Sequence, residues 1–234
     1  MVYSALHTVL MSWGDVRPAV TALAEARQSE TWAVEEISAT ATNTLQALGH
    51  GGPRSQAAAW RYFDALILHD IVDVYHINTM LGLCDSASEV DKVLAASAQI
   101  QSSSAAAAAA AAPEVLDRCS PAASTQAQEL THEIANRAWL RLGDVEQAAS
   151  ALVDASAVAG GWGGKKRRRK VVAGLRKLYD EAEHDPTVYD KAVAYFFALH
   201  GRGLTDQHSC KLALKRCHAE EEEALRHAIE AAGY

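Results

Sequence analysis

Aromatic side chains are scarce in this chain, 6% of its 234 residues. No segment alternates apolar and polar residues cleanly between turn signals. A sandwich or barrel built from β-branched and aromatic strands is thereby excluded as the expected fold. Cysteine is also sparse: Cys84, Cys119, Cys210 and Cys217 are all there are, and none forms a CxxC pair. That is no disulfide framework, and a reducing compartment is the default. No apolar run reaches the length of a membrane span, so no membrane-spanning helix is expected. The N-terminus lacks a basic stretch followed by an apolar one, and Asp15 and Glu25 interrupt any resemblance to a transit peptide. A removed leader, a fragment and a cytosolic chain all fit that N-terminus.

What is abundant is alanine. Ala-rich stretches with few glycines favour helices that approach closely on small side chains. Apolar residues make up 49% of the chain, enough for a real core. The net charge of −7 argues against a large phosphate-tracking surface, yet the charge is uneven. Residues 1–128 sum to −7, residues 129–164 to −3 and residues 165–234 to +3. Any electrostatic footprint for phosphate is therefore expected in the C-terminal third.

The chain repeats itself. "VYSALHTVLMSWGDVRPAVTAL", "ATNTLQALGHGGPRSQAAAWRYF", "HINTMLGLCDSASEVDKVLAASA", "THEIANRAWLRLGDVEQAASALV" and "VYDKAVAYFFALHGRGLTDQHSC" align by eye. Each shows a helical run with apolar residues at i, i+3, i+4 and i+7, then a turn and a second helix. The anchors Ser4, Asn43, Asn78, Glu133 and Asp190 are spaced by 39, 35, 55 and 57 residues, the last two gaps holding insertions. Leu6, Leu10, Leu45, Leu48, Ile77 and Leu81 on first helices would meet Val20, Leu23, Leu66, Val90, Val93 and Leu94 on second helices. One hairpin cannot bury both its apolar stripes, so several must stack. A plain helical bundle with similar hairpins is the alternative.

The third segment, N-T-M-L-G-L-C-x-x-A-S-E-V-D-K-V-L from Asn78, resembles a pentatricopeptide repeat, a relative of the tetratricopeptide repeats. "ATNTLQAL" and "GDVEQAASAL" are similar to the same pattern. The resemblance implies an all-α, right-handed solenoid of stacked helix-turn-helix repeats. The expected layout is repeats 1–3 in 1–100, a poly-Ala linker in 101–124, repeat 4 in 125–159, a Gly/basic loop in 160–170 and terminal helices in 171–234. It also implies binding of single-stranded RNA, ribosomal RNA included, in a mitochondrion or other organelle. By that resemblance Asn43 with Asp73 is similar to a uracil-reading pair, and Asn78 is half of another. Ser4 with Ser38 opens the first repeat, and Glu133 departs from the pattern. Asn43 and Asn78 have a structural alternative as helix caps or turn bridges.

The sharpest local feature is "GGWGGKKRRRK", Gly160 to Lys170. Lys165, Lys166, Arg167, Arg168, Arg169 and Lys170 would grip phosphates while Trp162 stacks on a base. An acidic protein partner, a nuclear-import tract or a solvated loop opening a helix are the alternatives. "QSSSAAAAAAAA" reads as a solvated linker or as an extension of the preceding helix. His208, Cys210, Cys217 and His218 lack zinc spacing, and Cys210 and Cys217 read as small core residues. No phosphate-binding glycine loop or nucleophile motif is present, so neither an enzyme nor a cofactor is expected. Two functions fit: RNA binding, or a scaffold subunit contacting proteins of an organellar ribosome, a respiratory complex or an ATP synthase.

Overall fold

The computed structural model describes residues 2–110, 121–158 and 162–231. Every regular element among them is helical. The chain divides into two compact units, 1–120 and 121–234.

Unit 1 contains α1 (Val2–Ser12), α2 (Val16–Gln28), α3 (Val34–Gly49), α4 (Pro53–Leu68), α5 (Val74–Leu83) and α6 (Ala87–Ala110). The turns between paired helices are short, so each pair forms an antiparallel hairpin. Gly14 closes α1 with φ +80°, a left-handed conformation that glycine adopts without the Cβ penalty. The packing runs α1 on α2, α2 on α4, α4 on α3, α3 on α5 and α5 on α6. Most of the expected facing residues are the core: Val20, Leu23, Leu45, Leu66, Ile77, Leu81, Val90 and Val93 are buried, whereas Leu10, Leu48 and Leu94 are half-buried. Tyr62 and Phe63 on α4 are fully enclosed among them. Leu6 remains 41% exposed, while its neighbour His7 is buried and reaches Tyr62 on α4. The alanine run continues α6 as far as Ala110 rather than opening a linker at 101. Ala residues lose little side-chain freedom in a helix, so propensity alone carries it on. Of the rest of the linker expected at 101–124, residues 111–120 lie outside the described residues and 121–124 open the next helix.

Unit 2 contains α7 (Pro121–Leu142), α8 (Val145–Val158), α9 (Gly164–Ala182), a single 3₁₀ turn (Pro186–Val188), α10 (Tyr189–Gly201), α11 (Gln207–Arg216) and α12 (Ala219–Ala231). Here α7 packs on α8, α8 on α10, α10 on α9, α9 on α11 and α11 on α12. The fifth repeat segment, begun at Val188, is out of phase: it spans α10 and α11. Its hairpin instead starts at Gly164, so the expected 160–170 loop is helical from Gly164 onward. Six consecutive cations give no apolar period by which to recognise the first turns of α9. Glycines 160 and 161 lie outside the described residues. No helix among the described residues is long and apolar enough to cross a membrane.

Candidate nucleic-acid interface

Asp73 caps α5. Its carboxylate accepts the backbone N–H of Tyr75 at 2.9 Å and of His76 at 3.1 Å, and the Ser38 hydroxyl donates to its other oxygen. His76 Nδ1 in turn accepts the Asp73 backbone N–H at 3.0 Å, completing a reciprocal cap. Burial alone would raise the Asp73 carboxyl, but the bonds and imidazole of His76, with the Ser38 hydroxyl, hold it below the usual carboxylate range. Asp73, expected as half of a uracil-reading pair, is thus the cap of α5 and is tied to α3, with its side chain 35% exposed. Asn43 stands exposed on α3, and Asn78 is half-buried on α5. The Asn78 Oδ1 is enclosed with no hydrogen-bond partner among the described residues.

Trp162, expected to stack on a base, also has a partner within the protein. It is only 7% exposed, and its indole N–H donates to Glu129 Oε1 at 3.1 Å. A ring held in that pocket is not presented to a base. The same Glu129 carboxylate meets Lys166 Nζ at 2.6 Å. One turn further along both helices Lys170 pairs with Glu133, and on the other side Arg168 Nε reaches Asp206 Oδ2 at 2.8 Å. Arg167 faces the Gly203 carbonyl at 3.4 Å. Lys165 and Arg169 point outward and exposed. So half of the basic run neutralises carboxylates of unit 2. The i, i+4 spacing of Glu129 and Glu133 on α7 matches that of Lys166 and Lys170 on α9, which is why the pairs form as a ladder. Burial would raise the Glu129 carboxyl; the Lys166 ammonium, backed by the Trp162 N–H, outweighs it and holds it low.

Beyond this ladder the space between α7 and α9 widens into a groove of about 660 Å³, closed below by α8 and α10. Arg137 and Arg141 project from α7, Lys170 and Lys177 from α9, and Lys191 from α10. The opposing charges are Glu133, paired with Lys170, and Glu181, which lies 3.7 Å from Lys177. Five cations against two carboxylates leave the groove basic in a chain that is acidic overall. Its floor is mixed: Leu140, Leu152 and Leu178 lie beside Asn136, whose amide is bonded beneath the surface. Asn136 donates to the Ala148 carbonyl at 2.7 Å and to the Tyr195 hydroxyl at 2.8 Å. The Tyr195 ring lies against Gly174, where a Cβ would stand at ordinary contact distance, 3.4 Å from Cε1. Burial pushes the Tyr195 phenol far above its ordinary value, so it stays a neutral partner. An adjoining depression of about 770 Å³, which shares Lys177 and Glu181 with the groove, mixes Arg176 and Lys177 with Asp180, Glu181 and Asp185, and has no such bias.

Sequence reasoning missed Arg137, Arg141, Lys177 and Lys191. The available signal was spacing: Arg137 and Arg141 at i, i+4, and Lys170 and Lys177 at i, i+7, each on one helix face. It becomes readable only once α9 is known to begin before its cations. Among the described residues no group of three or more His, Cys, Asp or Glu is placed to hold a metal ion. Comparison with known proteins finds no matching family model, no similar curated protein and no similar solved structure.

Proposed function

We propose that this chain is a non-catalytic helical-repeat protein of the pentatricopeptide type. Its hairpins stack as a right-handed solenoid, and it holds single-stranded RNA in an organelle. The observation that carries this reading is the groove of unit 2, where five cations line a cleft between two first helices of neighbouring hairpins. Phosphates entering it meet a locally positive field whatever the net charge of the chain, because exposed charges more than about 10 Å away are largely screened at physiological salt. The strand is gripped by its backbone. Base reading by an Asn43–Asp73 pair has no support, since the Asp73 carboxylate is committed to capping α5.

The test is a salt titration of a fluorescent oligouridylate on the full chain. Each phosphate contact contributes about −0.7 to the slope of log K against log salt for a single strand. Replacing Arg137, Lys177 and Lys191 by Ala should flatten that slope by about two units at most. Replacing Lys165 and Arg169, outside the groove, should change it less. An unchanged slope in the groove variant, or no binding by the wild type at low salt, overturns the proposal.

A second reading, a scaffold subunit of a large organellar assembly, is favoured by α1. Leu6 and Val9 are each 41% exposed and Trp13 is 72% exposed, and their i, i+3, i+7 spacing puts them on one side. Exposed apolar residues grouped in this way are what a protein contact uses. Under this reading L6S/V9S/W13S would release the chain from one large complex without changing its RNA affinity.

A further inference from the structure

The two units repeat each other at a level above the hairpin. Gly14-Asp15-Val16 at the first turn of unit 1 recurs 129 residues later as Gly143-Asp144-Val145. Tyr62-Phe63, Ala65-Leu66, Asp73, Leu81 and Cys84 recur at a constant offset of 133 as Tyr195-Phe196, Ala198-Leu199, Asp206, Leu214 and Cys217. The order of packing is the same, helix for helix, from α1–α6 to α7–α12.

Shared hairpin geometry alone would produce some of this. It would not reproduce particular side-chain bonds between distant helices. His7 on α1 bonds the Tyr62 hydroxyl at 2.8 Å, 55 residues away. Asn136, at the same place on α7, bonds the Tyr195 hydroxyl at 2.8 Å, 59 residues away. Ser38 on α3 donates to the capping carboxylate of Asp73, and Arg168 at the same place on α9 donates to the capping carboxylate of Asp206. Each of those aspartates opens its helix with a reciprocal cap, one with His76 and one with Ser209. The backbone agrees as well. Asp15 N–H bonds the Leu10 carbonyl at 2.9 Å, and Asp144 N–H bonds the Trp139 carbonyl at 3.0 Å. The left-handed residue between α4 and α5 is Asp70, φ +54°, and between α10 and α11 it is Gly203, φ +66°.

Aligned in this way, unit 1 serves as an internal control for the groove. Arg137, Arg141, Lys170, Lys177 and Lys191 correspond to Thr8, Ser12, Thr40, Ala47 and Ala58. The two groove carboxylates, Glu133 and Glu181, correspond to Ser4 and Gly51. Every charge in the unit 2 groove thus stands where unit 1 carries a neutral residue.

We infer that the chain is a tandem duplication of one six-helix module, and that the equivalent faces of its two units have divided their roles: the second takes the phosphates and the first takes no anion. The division of roles rests on the RNA reading above; the duplication does not. The test therefore has two arms on the full chain. In the first, T8R/S12R/T40K/A47K/A58K grafts the five cations onto unit 1. A control, Q28K/A39K/A57K/S88K/Q99K, places the same charge on exposed positions of that unit. With a short oligouridylate the graft should raise the stoichiometry from one to two and the control should leave it at one. A graft that behaves as the control, or a wild type that already takes two, overturns the division of roles. In the second arm the polar bolts are exchanged. Asn136→His and His7→Asn should each keep most of the thermal stability that Asn136→Ala and His7→Ala lose. If each exchange costs as much as its Ala variant, the equivalence of the modules is overturned. A wild type that binds no oligouridylate sinks the RNA reading and with it the division of roles, while the exchange arm still decides the duplication.

Discussion

The Glu129 carboxylate offers a sharp test of how the basic segment is held. It faces two partners of different kinds: the buried indole N–H of Trp162 and the ammonium of Lys166. Lys166 is 43% exposed, so its pairing behaves as a part-screened ion pair worth about 0.5–1 kcal/mol. The indole is 7% exposed, and orphaning its N–H costs about 1–3 kcal/mol of desolvation. Glu129→Gln keeps an acceptor for the indole and removes only the charge, so it should destabilise unit 2 by about 0.5–1 kcal/mol. Glu129→Ala removes both interactions and should cost about 1.5–4 kcal/mol, the sum of the two effects. In urea, with an m-value of about 2 kcal/mol/M, the two variants should differ in midpoint by about 1 M. Fluorescence of the full chain reports it, since Trp162 itself lies in the perturbed pocket. Trp162→Phe removes the donor, so adding Glu129→Ala to that background should cost only the ion-pair share. Equal midpoints for the Gln and Ala variants, or full additivity with Trp162→Phe, would refute the buried indole bond as the element that holds this segment.

Acid should act on the same ladder. Glu129, Asp73 and Asp206 all have carboxyls held below their ordinary range: burial raises each, and the Lys166, His76 and Ser209–Arg168 contacts respectively outweigh it. Their stabilising contribution is present above the unfolded-state values, near pH 4, and is lost as pH falls through the depressed folded values. Asp206→Asn should blunt that acid transition, measured by circular dichroism. His7 has the opposite chemistry. Burial lowers its imidazole below the ordinary value, so the unfolded chain takes up its proton first, and stability should begin to fall below about pH 6.5. His7→Asn should abolish that component in a urea titration between pH 7 and 5.

The helical class, the hairpin spacing and the core-facing positions were legible in the residues. Periodicity at 3.6 marks which side of a helix is oily, and Val20, Leu23, Leu45, Leu66, Ile77 and Leu81 were placed by that alone. Periodicity failed on α9, whose opening turns carry only charge, and the fifth hairpin was mis-phased as a result. It also could not tell that Asp73 and Trp162 turn inward. An aspartate before a helix reads equally as a cap or as a ligand, and a tryptophan among glycines reads equally as exposed or as docked. Those choices were made by the tertiary structure, because Ser38 and Glu129, distant in sequence, supply the partners. The groove belongs wholly to that level. Arg137, Lys177 and Lys191 become one site only when three helices bring them together, and their common charge has meaning only within the screening distance that folding sets.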